Sequence, residues 1–339
     1  MNLEKPFIIA EMSGNHNQSL ARALEIVDAA AAAGVDAVKI QTYTADTMTL
    51  DIDTDEFFIA DQGSLWKGES LYHLYEKAHT PWEWHKPIFE RCKEHGILGF
   101  STPFDDTSVD FLEELDVPFY KIASFENVDI PLIRKVARTG KPMIVSTGMT
   151  TVSELAELVR TARENGCRDL MLLKCTSSYP ASAEGTNLRT IPHMRKLFNC
   201  EIGLSDHTLG IGVAVASIAV GASVIEKHFT LSRADGGVDA AFSLEPDEMA
   251  QLVRECRAAA LAMGEVCYEI AEQEKKSLRF RRSLYIVEDM KAGDVITAEN
   301  MRRIRPGLGL SPKYYEAVLG RRVKCDVARG TALSWDVLA

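Results

Sequence analysis

Residues 98–147 read LGFSTPFDDTSVDFLEELDVPFYKIASFENVDIPLIRKVARTGKPMIVST. Three short apolar runs, Leu98–Thr102, Phe119–Ser124 and Pro142–Thr147, alternate with helical stretches at Asp106–Leu115 and Pro131–Thr139. Each run begins apolar and finishes in polar residues. Strands apolar on both faces belong to a sheet covered on both sides, and strand–helix alternation makes that sheet parallel.

The same alternation extends outward in both directions. Upstream lie a strand at Phe7–Met12, a helix at Ser19–Ala33 with Ser19 as N-cap and Gly34 as its stop, and a strand at Asp36–Thr42. A long excursion, Tyr43–Pro81, then leads into a helix through Glu94, for which Pro81 is read as the first helical residue. Downstream, strands at Asp169–Thr176, Glu201–Asp206 and Ser223–Phe229 alternate with helices at Ser153–Asn165, Pro192–Phe198, Ile211–Val220 and Pro246–Met263. Eight units by about residue 263 predict a TIM (β/α)8 barrel over residues 1–264, with an open doubly wound sheet as the alternative. Residues 265–282 turn charged and read as a linker. Residues 283–339 read as a small β-rich domain with strand-like pieces at Leu284–Val287 and Thr331–Leu333.

Of 339 residues, 46% are hydrophobic and the formal net charge is −11. That balance argues against a nucleic-acid partner, which would demand a basic face. The seven cysteines contain no CxxC pair and read as reduced thiols. The longest apolar run, Ile211–Ile225, is too short for a bilayer and is broken by Gly212 and Gly221. With no apolar leader at Met1–Phe7, a cytoplasmic chain without a membrane partner is the expectation.

Polar residues gather at the strand ends, which in a barrel meet at one mouth: Glu11, Lys39, Gln41, Ser101, Lys121, Ser124, Ser146, Lys174, Ser205, His207, Glu226 and His228. Lysines inside a barrel need compensation, either from carboxylates such as Glu11 and Glu226 or from an anionic ligand. Lys39 and Gln41 share one face of their strand, and with the neighbouring hydroxyls they point to a phosphate or carboxylate site. Lys174 and Lys227 are weaker candidates, open to pointing into the helix layer. His207 and His228 are read equally as structural histidines or as ligands of a labile divalent ion. In Ser13–Ser19, Asn15, His16 and Asn17 are either substrate contacts or a helix-capping turn. Trp82 and Trp84 read as packing residues.

The segments IIAEMSGNHNQS, VKIQTYTADT, FSTPFD, YKIAS, VSTGM, LLKCTSSYP, GLSDHT, IEKHFTL and SLEP resemble the sialic acid synthase family. The C-terminal RRSLY, KAGDVIT and IRPGLGL resemble that family's antifreeze-like (SAF) domain. Within the family, QTYTADTMT, SLWKGESLYHLYEKAHTPWEWH and KCTSSYPA are most similar to the pseudaminic acid synthase branch. In the neuraminate branch an Asn usually stands two residues before the tyrosine that here is Tyr179. Ser177 stands there instead, which speaks against N-acetylmannosamine as the sugar.

The resemblance implies that phosphoenolpyruvate condenses with an open-chain amino sugar, a 2,4-diacetamido-2,4,6-trideoxy-hexose. The alternatives are N-acetylneuraminate or legionaminate synthesis. It implies Glu11 and Asp239 as catalytic residues. Lys39, Lys121, Ser124, Ser146 and Ser205 are implied to bind phosphoenolpyruvate, with Ser101 and Ser177 as further substrate contacts. Gln41, Glu126 and Tyr179 would touch the sugar. His207 and His228 would hold Mn2+, Mg2+ or Co2+. Arg305 would enter the barrel of a second copy, making a domain-swapped homodimer. The product would serve flagellin or surface-polysaccharide glycosylation. Two other classes compete: a Schiff-base aldolase using Lys39 or Lys121, and a non-catalytic binding protein relying on the antifreeze-like domain.

Overall fold

The computed structural model describes residues 5–52, 54–60 and 65–339. Met1–Glu4 of the N-terminal segment, and Asp53 and residues 61–64 of the excursion, lie outside the described residues. The chain divides into two compact units, Met1–Gly264 and Glu265–Ala339.

The first unit is a closed barrel of eight parallel strands in sequential order. Its elements are β1 (Phe7–Glu11), α1 (Leu20–Ala33), β2 (Ala37–Thr42), α2 (Ala45–Met48), α3 (Leu71–Ala78), α4 (Trp82–Glu94), β3 (Leu98–Pro103), α5 (Asp106–Glu114), β4 (Tyr120–Ile122), α6 (Ile130–Arg138), β5 (Met143–Ser146), α7 (Val152–Glu164), β6 (Leu170–Cys175), α8 (Thr190–Phe198), β7 (Glu201–Asp206), α9 (Gly212–Ala219), β8 (Val224–His228) and α10 (Pro246–Met263). Closure through β1 and β8, with Glu11 beside His228, removes the open sheet as an alternative.

Local signals account for the helix limits. The Ser19 hydroxyl accepts from the Arg22 amide at the start of α1, and Gly34 ends it at φ 86°, where a side chain would be strained. Thr151 and Glu154 cap α7 reciprocally. Pro81 sits one residue outside α4, as its N-cap at φ −50° and ψ 136°, so the helix begins at Trp82 and not at the proline. This ψ is extended and cannot count as a first helical turn.

Two cores flank the strands. One lies between strands and helices and includes Ile8, Val38, Tyr120, Val145, Leu172 and Ile225. The other fills the barrel itself: Ile9, Ala37, Phe100, Phe119, Ile144, Met171, Leu173 and Val224. These interior residues obey the period-two rule strand by strand, so the next inward position on each strand lies one layer nearer the mouth. Gly203 belongs to the same interior. A Cβ there would collide with the Val224 backbone and the Leu173 side chain, so glycine is what lets β7 close.

The second unit has its own small core, with Leu284, Ile286, Met290, Ile296, Val318 and Leu333. Its β9 (Ser283–Ile286) and β10 (Met301–Ile304) pair antiparallel. Thr331–Leu333 does not form a strand. It makes an isolated bridge from Ala332 to Tyr285, and Leu333 donates to the Leu284 carbonyl. Among the described residues no helix is long and apolar enough to cross a membrane; Ile211–Ile225 contains all of α9 and the start of β8.

Candidate active site

Carrying the inward parity to the strand ends gives Glu11, Lys39, Gln41, Thr102, Lys121, Ser146, Cys175, Ser205, His207, Glu226 and His228. All but Thr102 line one cavity of about 610 Å³ at the C-terminal mouth, and Ser124, Glu126, Ser177, Tyr179 and Asp239 from the loops above complete it. Strand pairing sets the level: Glu11 is opposite Lys39 on one side and His228 on the other, and Ser205 is opposite Glu226.

The floor is a buried network of ions. Lys39 Nζ lies 2.6 Å from Glu11 Oε2 and 3.8 Å from Glu226 Oε2. Lys121 Nζ donates to Glu226 Oε1 at 3.1 Å, and Ser205 Oγ donates to the same oxygen at 3.0 Å. Lys39 also reaches Thr102 Oγ1 at 3.1 Å. Each ion gave up several kcal/mol of hydration, of the order that mutual pairing recovers only when every partner is charged. Burial works against the Glu226 carboxylate, yet Lys121 and Lys39 outweigh it and hold its pKa below the usual range. Burial also holds the Lys121 ammonium below its ordinary pKa. Of the two accounts of the lysines, carboxylate compensation is therefore present, and the hydroxyls around them keep the capacity to bind an anion. Ser146 Oγ is buried without a hydrogen-bond partner among the described residues. Ser124 Oγ accepts from the Gly148 amide at 3.1 Å.

Glu11 is held on three sides. Ser13 Oγ donates to its Oε1 at 2.6 Å and Gln41 Nε2 donates to it at 3.1 Å, while Lys39 takes the other oxygen. Ser13 is in the left-handed region at φ 46°, a strain on the order of 1 kcal/mol that turns its hydroxyl back onto Glu11. Burial raises the Asp239 carboxyl to a pKa of about 6, and the nearby Glu11 adds to the effect. Burial likewise lifts Glu126 to about 7.

His207 and His228 have ring centroids 5.3 Å apart. His207 Nδ1 donates to the Thr176 carbonyl at 3.0 Å, which directs Nε2 elsewhere. Burial opposes protonation of His207, but Cys175 and the Thr176 carbonyl outweigh it and raise its pKa. Burial and the neighbouring His207 push His228 well below the ordinary value. Tyr179 packs on His207 at 4.4 Å and on Phe242 at 5.2 Å. Two oriented imidazoles at a polar mouth fit a divalent cation. Among the described residues no set of three His, Cys, Asp or Glu side chains is gathered for one, so the remaining positions would fall to oxygen atoms of substrate and water.

Some expected residues lie elsewhere. Ser101 has the wrong parity: its hydroxyl bonds to the Ile40 carbonyl at 3.1 Å and to Thr42 Oγ1 at 2.6 Å in the helix layer, and Thr102 holds the inward place. Lys227 also faces outward, paired with Asp206 at 2.7 Å, and Lys174 turns to the Cys175 carbonyl at 2.9 Å. Asn15 bonds the Phe229 carbonyl and Ser243, and His16 packs on Trp84, so this loop is mainly a structural turn. Trp82 stacks on Phe111 as a packing residue. Arg305 is an exposed residue of the second unit. The period-two rule places Thr102, rather than its neighbour Ser101, and Cys175 inward, whereas Ser13 stands in the 3-10 turn Ser13–His16 beyond β1, where that rule does not reach.

Residues 26–268 match the NeuB family, and residues 281–339 match the SAF domain. The chain is 45% identical to a pseudaminic acid synthase of Campylobacter jejuni, over 97% of this chain and 96% of that one. It is 42% identical to the pseudaminic acid synthase of Helicobacter pylori, over 98% of each. The crystal structure of an N-acetylneuraminic acid (sialic acid) synthetase from Leptospira borgpetersenii, in complex with citrate, superposes with a TM-score of 0.72 at 31% identity, covering 83% of this chain and 92% of that one. With a matched family spanning most of the barrel and relatives aligned nearly end to end, the chain belongs to the NeuB family of sialic acid synthases.

Proposed function

We propose that this protein is a pseudaminic acid synthase, condensing phosphoenolpyruvate with 2,4-diacetamido-2,4,6-trideoxy-altrose and water to give pseudaminic acid and phosphate. The observation that carries the reading is the meeting of Lys39, Lys121, Glu11, Glu226, His207 and His228 around one cavity at the barrel mouth. The names of relatives at 42–45% identity support the choice of sugar.

In this reading Lys39 and Lys121, with Ser124, Ser146 and Ser205, hold the carboxylate and phosphate of phosphoenolpyruvate, and Ser177 stands on the sugar side. At about 4 Å and an effective dielectric near 20, each charge contact contributes roughly 4 kcal/mol before desolvation. Gln41, Glu126 and Tyr179 orient the sugar. The methylene carbon of phosphoenolpyruvate attacks the aldehyde carbon, using the electron pair of the enol double bond, and the aldehyde oxygen takes up a proton from the Asp239 side of the cavity. The phosphate-bearing carbon becomes electron-poor and water adds to it, losing its proton to Glu11. The bond between that carbon and the phosphate oxygen then breaks as the new hydroxyl gives up its proton to the departing phosphate, leaving the ketone and inorganic phosphate. His207 and His228 are the residues that would hold Mn2+, Mg2+ or Co2+, which when bound supplies polarisation of the aldehyde oxygen.

The reading divides the chain into a catalytic barrel at 1–264, a linker at 265–282 and a SAF domain at 283–339. It takes the enzyme as a cytoplasmic, domain-swapped homodimer in which Arg305 of one copy completes the other's site. The test is phosphate release from phosphoenolpyruvate. Release that requires the amino sugar and stops with EDTA supports the reading. Release without sugar, or none with any amino sugar, contradicts it.

A further inference from the structure

Above its charged floor the cavity changes character. Leu71, Leu74, Tyr75 and Ala78 of α3 all line it. They occupy positions i, i+3, i+4 and i+7, which is one face of a helix. Such a stripe ordinarily packs against a domain core; here it borders open space, and Leu71, Leu74 and Tyr75 stay partly exposed. Ile59, from the same excursion, extends this surface.

The canopy is pinned to the loops that carry the chemistry. At its C-terminal end, Ala78 lies so near Gly14 that a Cβ on residue 14 would stand 3.2 Å from the Ala78 Cα. Gln18 Nε2 donates to the Lys77 carbonyl at 3.0 Å and to the His79 carbonyl at 2.7 Å. On the other side, Trp66 Nε1 donates to the Val238 carbonyl at 2.9 Å, next to Asp239. The apolar surface is therefore a fixed roof over the floor.

We propose that this roof is the sugar-selecting element. Leu71, Leu74 and Ile59 seat the deoxygenated carbon and acetamido methyl groups of the substrate and discriminate against sugars that carry hydroxyls there. The proposal rests on the synthase reading and deepens it. None of these three side chains has a hydrogen-bonding group, so a hydroxyl pressed against them surrenders water and gains no side-chain partner. Each such hydroxyl costs about tenfold to a hundredfold in kcat/KM. Glu126 supplies the complementary polar contact, a half-buried residue on the cavity wall whose Oε2 is buried with no partner among the described residues, suited to an amide N–H.

The experiment compares the 2,4-diacetamido-2,4,6-trideoxy sugar with its 6-hydroxy counterpart of the same stereochemistry, on the full-length enzyme. The wild type should favour the deoxy sugar by about a hundredfold in kcat/KM. Leu74→Asn and Leu71→Asn should cut that ratio at least about tenfold through KM for the sugar, with KM for phosphoenolpyruvate changed less than about twofold. Leu74→Met, apolar and of similar size, should keep the ratio. An unaltered ratio in folded Asn variants, or a wild type that treats both sugars alike, overturns the roof while leaving the condensation standing. If Leu74→Asn does not fold, Ile59→Thr carries the same expectation and the same refutation. Absence of phosphate release with every amino sugar overturns the synthase reading and this proposal with it.

Discussion

Lys39 and Glu11 face each other across adjacent strands and close to 2.6 Å between Nζ and Oε2 with both side chains buried. Lys39 thus shares its charge between the carboxylate expected to handle a proton and the substrate anion expected to arrive. Glu11→Gln keeps the shape and the hydrogen bonds from Ser13 and Gln41 but removes the charge and the basicity. The expected outcome is a fall in kcat of at least about a hundredfold, with KM for phosphoenolpyruvate within about threefold of wild type. Steady-state phosphate release measures both, and an undiminished kcat removes Glu11 from catalysis.

Glu126 gives a pH signature. Burial raises its pKa to about 7, so the proton leaves across the neutral range. If its carboxylate accepts an amide N–H of the sugar, kcat/KM for the sugar rises about tenfold between pH 6 and 8. Glu126→Gln should lose affinity for the sugar and flatten that profile. A profile that keeps its step near pH 7 in the glutamine variant assigns the titration to another group.

Acid stability follows from two histidines outside the cavity. Burial lowers His16 and His85 to a pKa of about 4. His85 is locked between Thr42 Oγ1 at 2.7 Å and the Pro81 carbonyl at 3.2 Å. Both are neutral in the fold, while the unfolded chain protonates near 6.5. As pH falls from 6.5 to 4 the unfolded state binds protons first, so stability declines over that window, by on the order of 3 kcal/mol per histidine at the acid end. Urea unfolding at pH 7 and pH 4.5 should show the loss. His85→Asn should be less stable at pH 7 yet lose less on acidification; an equal slope contradicts the assignment.

The swapped dimer has a mixing test. Glu11→Gln and Arg305→Ala should each be nearly inactive alone. Mixed and allowed to exchange subunits, they form heterodimers in which the intact barrel of the Arg305→Ala chain receives Arg305 from the other copy. Activity should return to as much as about a quarter of wild type per chain, since half the dimers are mixed and each has one sound site. No recovery after demonstrated exchange would place Arg305 in its own chain's site or outside any site.

The fold was legible because each strand carries the same grammar, an apolar start and a polar end, and because Leu98–Thr147 repeats it without interruption. The site was legible where an unusual residue marked it, as with Lys39, Lys121, His207 and His228. Ser101 was misplaced because two hydroxyls, at 101 and 102, end one strand and only the phase of the alternation separates them. Phe100 inside the barrel fixes that phase in favour of Thr102. Glu226 stood out only as a possible partner, since its position between two lysines depends on the register of strands far apart in sequence. The excursion at Tyr43–Pro81 hid α3, whose Leu71, Leu74, Tyr75 and Ala78 show helical spacing over only two turns, too short a run to separate from a loop without its tertiary setting.

The central claim is that this cavity joins phosphoenolpyruvate to a diacetamido-trideoxy sugar with loss of phosphate, and product mass spectrometry tests it most directly. The enzyme would be offered phosphoenolpyruvate with the altrose-derived sugar, its legionaminate-precursor isomer and N-acetylmannosamine in parallel, in the presence of Mn2+. The account predicts a nine-carbon diacetamido sugar acid, formed fastest from the altrose-derived substrate, with one phosphate released per product. A product that retains phosphate, a borohydride-trapped lysine adduct with pyruvate, or faster turnover of N-acetylmannosamine would contradict it.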